Sequence, residues 1–143
     1  MSEQDNVKVV QASYAALNAH DLDKYDRLLT VDYKAEGTGA PDPMNMAQNR
    51  LFLQGFLTAF PDLHFDVTRT IAQNDAVVAH WSGTGSHTGP LSTPTGASIP
   101  ATGKKAVVRG TSTFDLKNDR ITRSWTYWDM TSLLGQLGLM PPV

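Results

Sequence analysis

The stretch from Ile121 to Gly138, ITRSWTYWDMTSLLGQLG, constrains the fold more than any other part of the chain. An apolar and aromatic strand runs there directly into a carboxylate and a Leu-rich helix. Side chains alternate along a strand, so Thr122, Ser124, Thr126 and Trp128 share one face, and Ile121, Arg123, Trp125 and Tyr127 the other. Leu133, Leu134 and Leu137 then recur at helical spacing, which puts the change of period at Asp129. Everything upstream reads as a container closed by this segment.

Upstream, Val7, Val10, Tyr14 and Leu17 step by three and four residues and predict an amphipathic helix with one buried stripe. Asp21 is a plausible N-cap for a second short helix carrying Leu22, Tyr25, Leu28 and Leu29 and ending near Asp32, with a brief strand from Tyr33 to Glu36. Gly37, Gly39 and Pro41 break the chain. Asp42 before Pro43 predicts the start of a third helix, with Leu53, Phe56, Leu57 and Phe60 on one face and a stop at Pro61. From Leu63 the period becomes that of strands: Phe65 and Val67, a turn at Gln73-Asn74-Asp75, then Val77 to Thr84. A loop rich in Gly, Pro, Ser and Thr runs from Gly85 to Gly103, either a mobile lid or an inert connection. Lys105 to Leu116 and Ile121 to Trp128 complete an antiparallel meander turned at Lys117-Asn118-Asp119. Helices first and strands afterwards argue for an α+β domain in which a curved, mostly antiparallel sheet wraps the N-terminal helices.

With 143 residues the expectation is one domain, 1–143, around one core. Twelve Lys plus Arg against fourteen Asp plus Glu, with no cluster of bases among exposed aromatics, argue against nucleic acid as a partner. No cysteine means no disulfide, thiol nucleophile or thiolate metal site. The start MSEQDN is polar, and no apolar run reaches membrane-spanning length, so a soluble cytoplasmic protein is expected, without membrane contact.

FPDLHF at Phe60–Phe65, GSHTG at Gly85–Gly89, IPATGKK at Ile99–Lys105 and W-x-Y-W-D-x-x-x-L-L-x-Q-L-G from Trp125 resemble the SnoaL-like polyketide cyclase family across nearly the whole chain. The resemblance implies the cone-shaped α+β fold of nuclear transport factor two, with an apolar pocket lined by the concave face of the sheet. Proteins of that fold include aldol cyclases, hydroxylases, steroid isomerases, epoxide hydrolases and plain binding proteins, so the reaction stays open. The family's cyclases carry a working carboxylate three residues before the Asp that leads into the last helix, and that position here is Thr126. A family histidine falls near Ser112. The Arg-x-Asp of the hydrolases corresponds to His80-Trp81-Ser82. In these registers the usual proton-transfer groups are replaced by hydroxyls.

Enolisation needs a base beside a carbonyl and a donor for the developing oxyanion. The candidates for the base are His80, His87 and Asp129, with Tyr14 and Tyr127 as donors. Asp129 either sits desolvated among Trp125, Tyr127 and Trp128 or caps the helix that begins at Met130. His80, assigned inward by the hydrolase comparison, is either a pocket base or a histidine satisfied by its neighbours. His87 in GSHTG is either a gate or a ring that ties down the loop. Trp81 and Trp128 are candidate walls of an aromatic-ligand pocket, and Ser82, Ser112 and Thr126 candidate polarising groups. No metal or cofactor motif is present: His80 and His87 have no carboxylate at ligand spacing.

The leading reading is a cofactor-independent enzyme that enolises an apolar or polycyclic carbonyl compound, with His80 as base, Asp129 second choice, and Tyr127 among the donors. Alternatives are a non-catalytic module binding a small apolar or aromatic ligand, and a dimerising domain with a filled cone. A homodimer through the outer sheet face is expected from the resemblance and the apolar strands.

Overall fold

The computed structural model describes residues 2–92 and 96–140. Two helices come first, α1 (Glu3–Asn18) and α2 (Leu22–Arg27), then strands β1 (Leu29–Gly37) and β2 (Ala40–Met44), and helix α3 (Met46–Ala59). After these come β3 (His64–Gln73), β4 (Ala76–Ser86), the short β5 (Leu91–Ser92) and β6 (Ser98–Ile99), β7 (Lys105–Lys117), β8 (Arg120–Trp128) and α4 (Met130–Gln136). The main sheet has the order β2-β1-β8-β7-β4-β3. Its pairs are antiparallel except β1 with β8.

Bulges bend this sheet into a cone. In β3 the register shifts between Val67 and Arg69, and in β8 it shifts so that Leu116 pairs with Ile121 while Asp115 pairs with Arg123. An extra residue in one strand of a pair bends that strand and increases its twist. The β8 bulge also breaks the simple alternation expected from the sequence, because Ile121 and Ser124 are both buried on the inner side.

Helix α1 packs against β3 and β4. Its buried stripe of Val10, Tyr14 and Leu17 packs on the inner face of the sheet. Asn18 at its last turn stands in for a neighbouring strand: its Nδ2 donates to the Phe65 carbonyl at 2.9 Å and its Oδ1 accepts from the Phe65 N–H at 2.7 Å. Helix α4 is docked in a similar way by Gln136, whose amide donates to the Val107 carbonyl and accepts from its N–H, both at 2.8 Å. Leu133 and Leu137 are thereby buried against Phe60 and Ala106.

Two boundaries differ from the sequence reading. The second helix ends at Arg27, and Leu29 already begins a nine-residue strand. Leu29 is buried there, pairing with Ile121, so apolar spacing that suits a helix is used by a strand. Asp42-Pro43 does not start α3: both lie in β2, and Asn45 is the cap, in a reciprocal capping box with Gln48. Pro41 and Pro43 are tolerated because β2 is the edge of the sheet, where a missing N–H costs no ladder bond. The loop after β4 holds the small β5–β6 pair, in which Leu91 faces Ile99; residues 93–95 of that expected loop lie outside the described residues. Among the described residues no helix is long and apolar enough to cross a membrane.

Candidate functional site

The concave face of the sheet, α1 and α3 enclose a cavity of about 170 Å³. Strand β4 supplies Trp81 to it, together with Gly83 and Gly85, because Val77, Ala79, Trp81, Gly83 and Gly85 are the inward phase of that strand. The two glycines leave room for aromatic rings: a Cβ on Gly83 would come 3.3 Å from the Phe65 ring, and one on Gly85 3.0 Å from Phe60. Gly110 on the neighbouring strand is the stricter case, since a Cβ there would lie 2.3 Å from the Trp81 indole. The indole therefore lies across bare backbone, and its Nε1–H donates to Ser112 Oγ at 3.0 Å.

Ser112 and Thr126 pair across β7 and β8, with their hydroxyl oxygens 2.9 Å apart. Gly37 covers the Thr126 backbone so closely that a Cβ would meet its carbonyl oxygen at 1.8 Å, and its φ of +143° is one that side-chain-bearing residues rarely adopt. Tyr14 stands beside Ser112, edge-on to Phe65 and Phe114 with centroids 6.0 and 6.1 Å apart. Burial raises its pKa to about 12, so the phenol is a donor at neutral pH and not a base. A second hydroxyl pair, Tyr33 Oη and Ser124 Oγ at 2.5 Å, lies on the same wall. Trp128 closes the α3 side, edge-on to Phe56 at 5.8 Å.

Tyr14, Trp81, Ser112, Thr126 and Trp128 are thus brought together around one cavity. The other candidates lie elsewhere. His80 is exposed, pairing with Thr111 and Arg69 on the outer phase of its strand, so the inward assignment taken from the hydrolase comparison does not match the fold. Ser82 has the same outward phase, and its partners are Asp66 and Arg109. Tyr127 is 60 % exposed on the outer face. Asp129 is exposed, and its Oδ1 accepts from the Ser132 N–H at 2.9 Å; it is the N-cap of α4, as the alternative reading had it.

His87 is fully buried yet does not line the cavity. Its Nδ1 accepts from the Thr102 N–H at 3.2 Å and lies 3.0 Å from Thr102 Oγ1, while its ring stacks on Phe60 at 5.2 Å. An accepting Nδ1 assigns the proton to Nε2, which has no partner among the described residues. Burial lowers its pKa. The ring ties the two ends of the loop together, the second of the roles considered from sequence.

Three contributors escaped the sequence reading. Asn49 of α3 is buried on the cavity wall, and its Nδ2 has no partner among the described residues. It lies four residues before Leu53 on the apolar face of α3, and a polar residue in that stripe was the available signal. Tyr33 and Ser124 carried no local signal, since they meet only through the parallel pairing of β1 with β8. The charged lining residue, Glu36, accepts from Arg123 Nε at 2.9 Å. Arg123 stacks over Trp125 at 5.1 Å, on the face opposite Ser124 and Thr126, so the Glu36 carboxylate is turned out of the cone.

The same cone recurs in solved structures. AclR of Streptomyces galilaeus, a proposed hydroxylase, superposes with a TM-score of 0.87 at 22% identity, over 99% of this chain and 90% of its own. TsrD of Streptomyces laurentii gives 0.82 at 20%, over 98% and 99%. IdmH of Streptomyces antibioticus, a proposed polyketide cyclase, gives 0.80 at 21%, over 93% and 98%. These likenesses concern the fold. No curated protein matches the sequence. The family model for SnoaL-like polyketide cyclases, however, matches residues 7–137, from the first helix to the last, and the chain belongs to the SnoaL-like polyketide cyclase family.

Proposed function

We propose that this protein binds one apolar, ring-containing small molecule inside the cone and holds an oxygen of it at the Ser112 and Thr126 hydroxyls, with no base of its own. The observation that carries this reading is the make-up of the wall: aromatic and aliphatic side chains surround neutral hydroxyls, and the lining carboxylate, Glu36, is engaged by Arg123 outside. Aldol cyclisation or isomerisation needs a group that removes a proton beside a carbonyl. Of the three bases considered from sequence, His80 and Asp129 are exposed and off the cavity and His87 is buried outside its lining, which favours the binding module over the enzyme. The open volume also speaks against a cone filled by its own aromatics.

Enolisation of a bound carbonyl compound is the second reading. The hydroxyl chain itself favours it, since hydroxyl donors beside a carbonyl oxygen stabilise an enolate, the proton then passing to water. An NMR titration in deuterated buffer with aromatic and steroid-like ketones separates the two. Ligand line broadening without exchange of the protons beside the carbonyl is the expected result; exchange above the buffer rate, lost in Thr126→Val, would replace binding by catalysis.

Two copies pairing through the outer sheet face complete the proposal. Ile71, Val107 and Tyr127 are exposed there, at 47 %, 40 % and 60 %. Sedimentation should give a dimer that Tyr127→Glu dissociates; a wild-type monomer refutes the pairing.

A further inference from the structure

Four hydroxyls on the concave wall form two pairs, Ser112 with Thr126 and Tyr33 with Ser124, their oxygens 2.9 and 2.5 Å apart. Two hydroxyls carry two protons, and the contact between them uses one, whichever oxygen donates. One O–H therefore remains in each pair. The Trp81 N–H fills a lone pair of Ser112 and takes up no hydroxyl proton. A neighbouring phenol drawn into either chain brings a proton along with its contact, so the remainder is still one. Among the described residues neither pair has a further acceptor in hydrogen-bond contact. Tyr33, Ser112 and Ser124 are buried, and all four residues line the cavity, so the space in which an acceptor can meet these protons is the cavity itself. Ser124 and Thr126 are alternate residues on the inward face of β8, which sets them about 7 Å apart. Ser112 reaches in from β7 on one side of that strand and Tyr33 from β1 on the other.

We propose that Tyr33 and Ser124 form a second ligand-anchoring pair beside Ser112 and Thr126, and that the cavity takes a fused-ring compound with two acceptor oxygens along one edge, one oxygen for each pair. The proposal rests on the cavity-binding reading above. A ligand with a single oxygen satisfies one pair and seals the other against its own hydrocarbon, leaving a buried proton without an acceptor. A second acceptor oxygen at the right spacing removes that cost, which is worth about tenfold in affinity. Counting protons also shows how the anchor fails. Removing either hydroxyl of a pair takes away one proton and the contact that used it, so one O–H is still free to meet the ligand. Only loss of both removes the donor.

Three probes of one planar frame test this: s-hydrindacene, its 1-ketone, and its 1,7-diketone, whose two carbonyls lie along the same edge. Calorimetry should show the diketone binding about tenfold tighter than the monoketone. In the infrared, both carbonyls of the bound diketone should shift down. Tyr33→Phe and Ser124→Ala, each leaving one donor, should keep most of that advantage. The double variant should bring the diketone down to the affinity of the monoketone and return one of its two carbonyls to the unbonded frequency, while the affinities of monoketone and hydrocarbon, which report an intact cone, stay unchanged. A diketone that binds no tighter than the monoketone, or an advantage that survives the double variant, would overturn the second anchor while monoketone and hydrocarbon binding upheld the cavity. No binding of any of the three would overturn the cavity reading, and this proposal with it.

Discussion

The two faces of one sheet divide the chemistry of this protein between them. The concave face carries Trp81, Ser112, Ser124, Thr126 and Trp128, whose polar atoms are neutral and hydrogen-bonded to one another or turned to the cavity. The convex face carries His80, Arg109, Arg123 and Glu36 with Trp125 and Tyr127. Titratable groups therefore lie in contact with solvent or with each other, and the cavity keeps donors of fixed protonation. Desolvation explains the separation, since an ionised side chain on the inner wall would lose its hydration without gaining a partner.

Exchanging equivalent residues across the two faces tests this contrast most strongly. Trp81→Ala should cost about 3–5 kcal/mol in urea unfolding, because a buried indole and its bond to Ser112 are lost together. Trp125→Ala on the outer face should cost less than about 1 kcal/mol, its partner being an exposed arginine. A similar loss for both would erase the distinction. Gly110→Ala comes next, at about 1–3 kcal/mol, since its Cβ must displace the Trp81 ring; a shifted tryptophan emission should accompany it.

His87 extends the contrast to pH. Its folded pKa is lowered by burial, so the unfolded chain binds the proton more readily. Its contribution is complete above the ordinary value of 6.5 and is lost as pH falls from there toward the lowered folded value. Protonation at Nδ1 would also remove the acceptor used by Thr102. Stability measured between pH 7.5 and 5 should fall more steeply in the wild type than in His87→Gln, and parallel curves would remove the latch from the account. Smaller effects are expected at the exposed candidates. Asp129→Ala should cost about 1 kcal/mol and Asp129→Asn only a few tenths, as for an N-cap. His80→Ala should stay within about 0.5 kcal/mol and leave ligand affinity unchanged; a clear loss of affinity would return His80 to the site.

Much of the scaffold was legible from local pattern. The stripe of α1, the cap at Asp129 and the strands from Phe65 onward rest on periodicity and side-chain chemistry that act within a few residues. The phase of β4 was legible too, because Val77, Ala79 and Trp81 form its more apolar set, yet the correspondence drawn between His80-Trp81-Ser82 and an Arg-x-Asp motif pointed the other way. Motif registers carried over a bulged sheet are fragile: one extra residue moves every later side chain to the other face.

By itself, then, the sequence determined the class of fold, most of the order of helices and strands, and the family. Tertiary structure decided which hydroxyls meet. Ser112 reaches Thr126 through antiparallel pairing, Tyr33 reaches Ser124 through a parallel strand pair far apart in the chain, and Trp81 reaches Ser112 only because Gly110 leaves the backbone bare. Periodicity is a property of neighbouring residues, whereas a site of this kind is assembled from contacts between distant ones, whose register is set by bulges, close approaches and the helices that cover one face of the sheet.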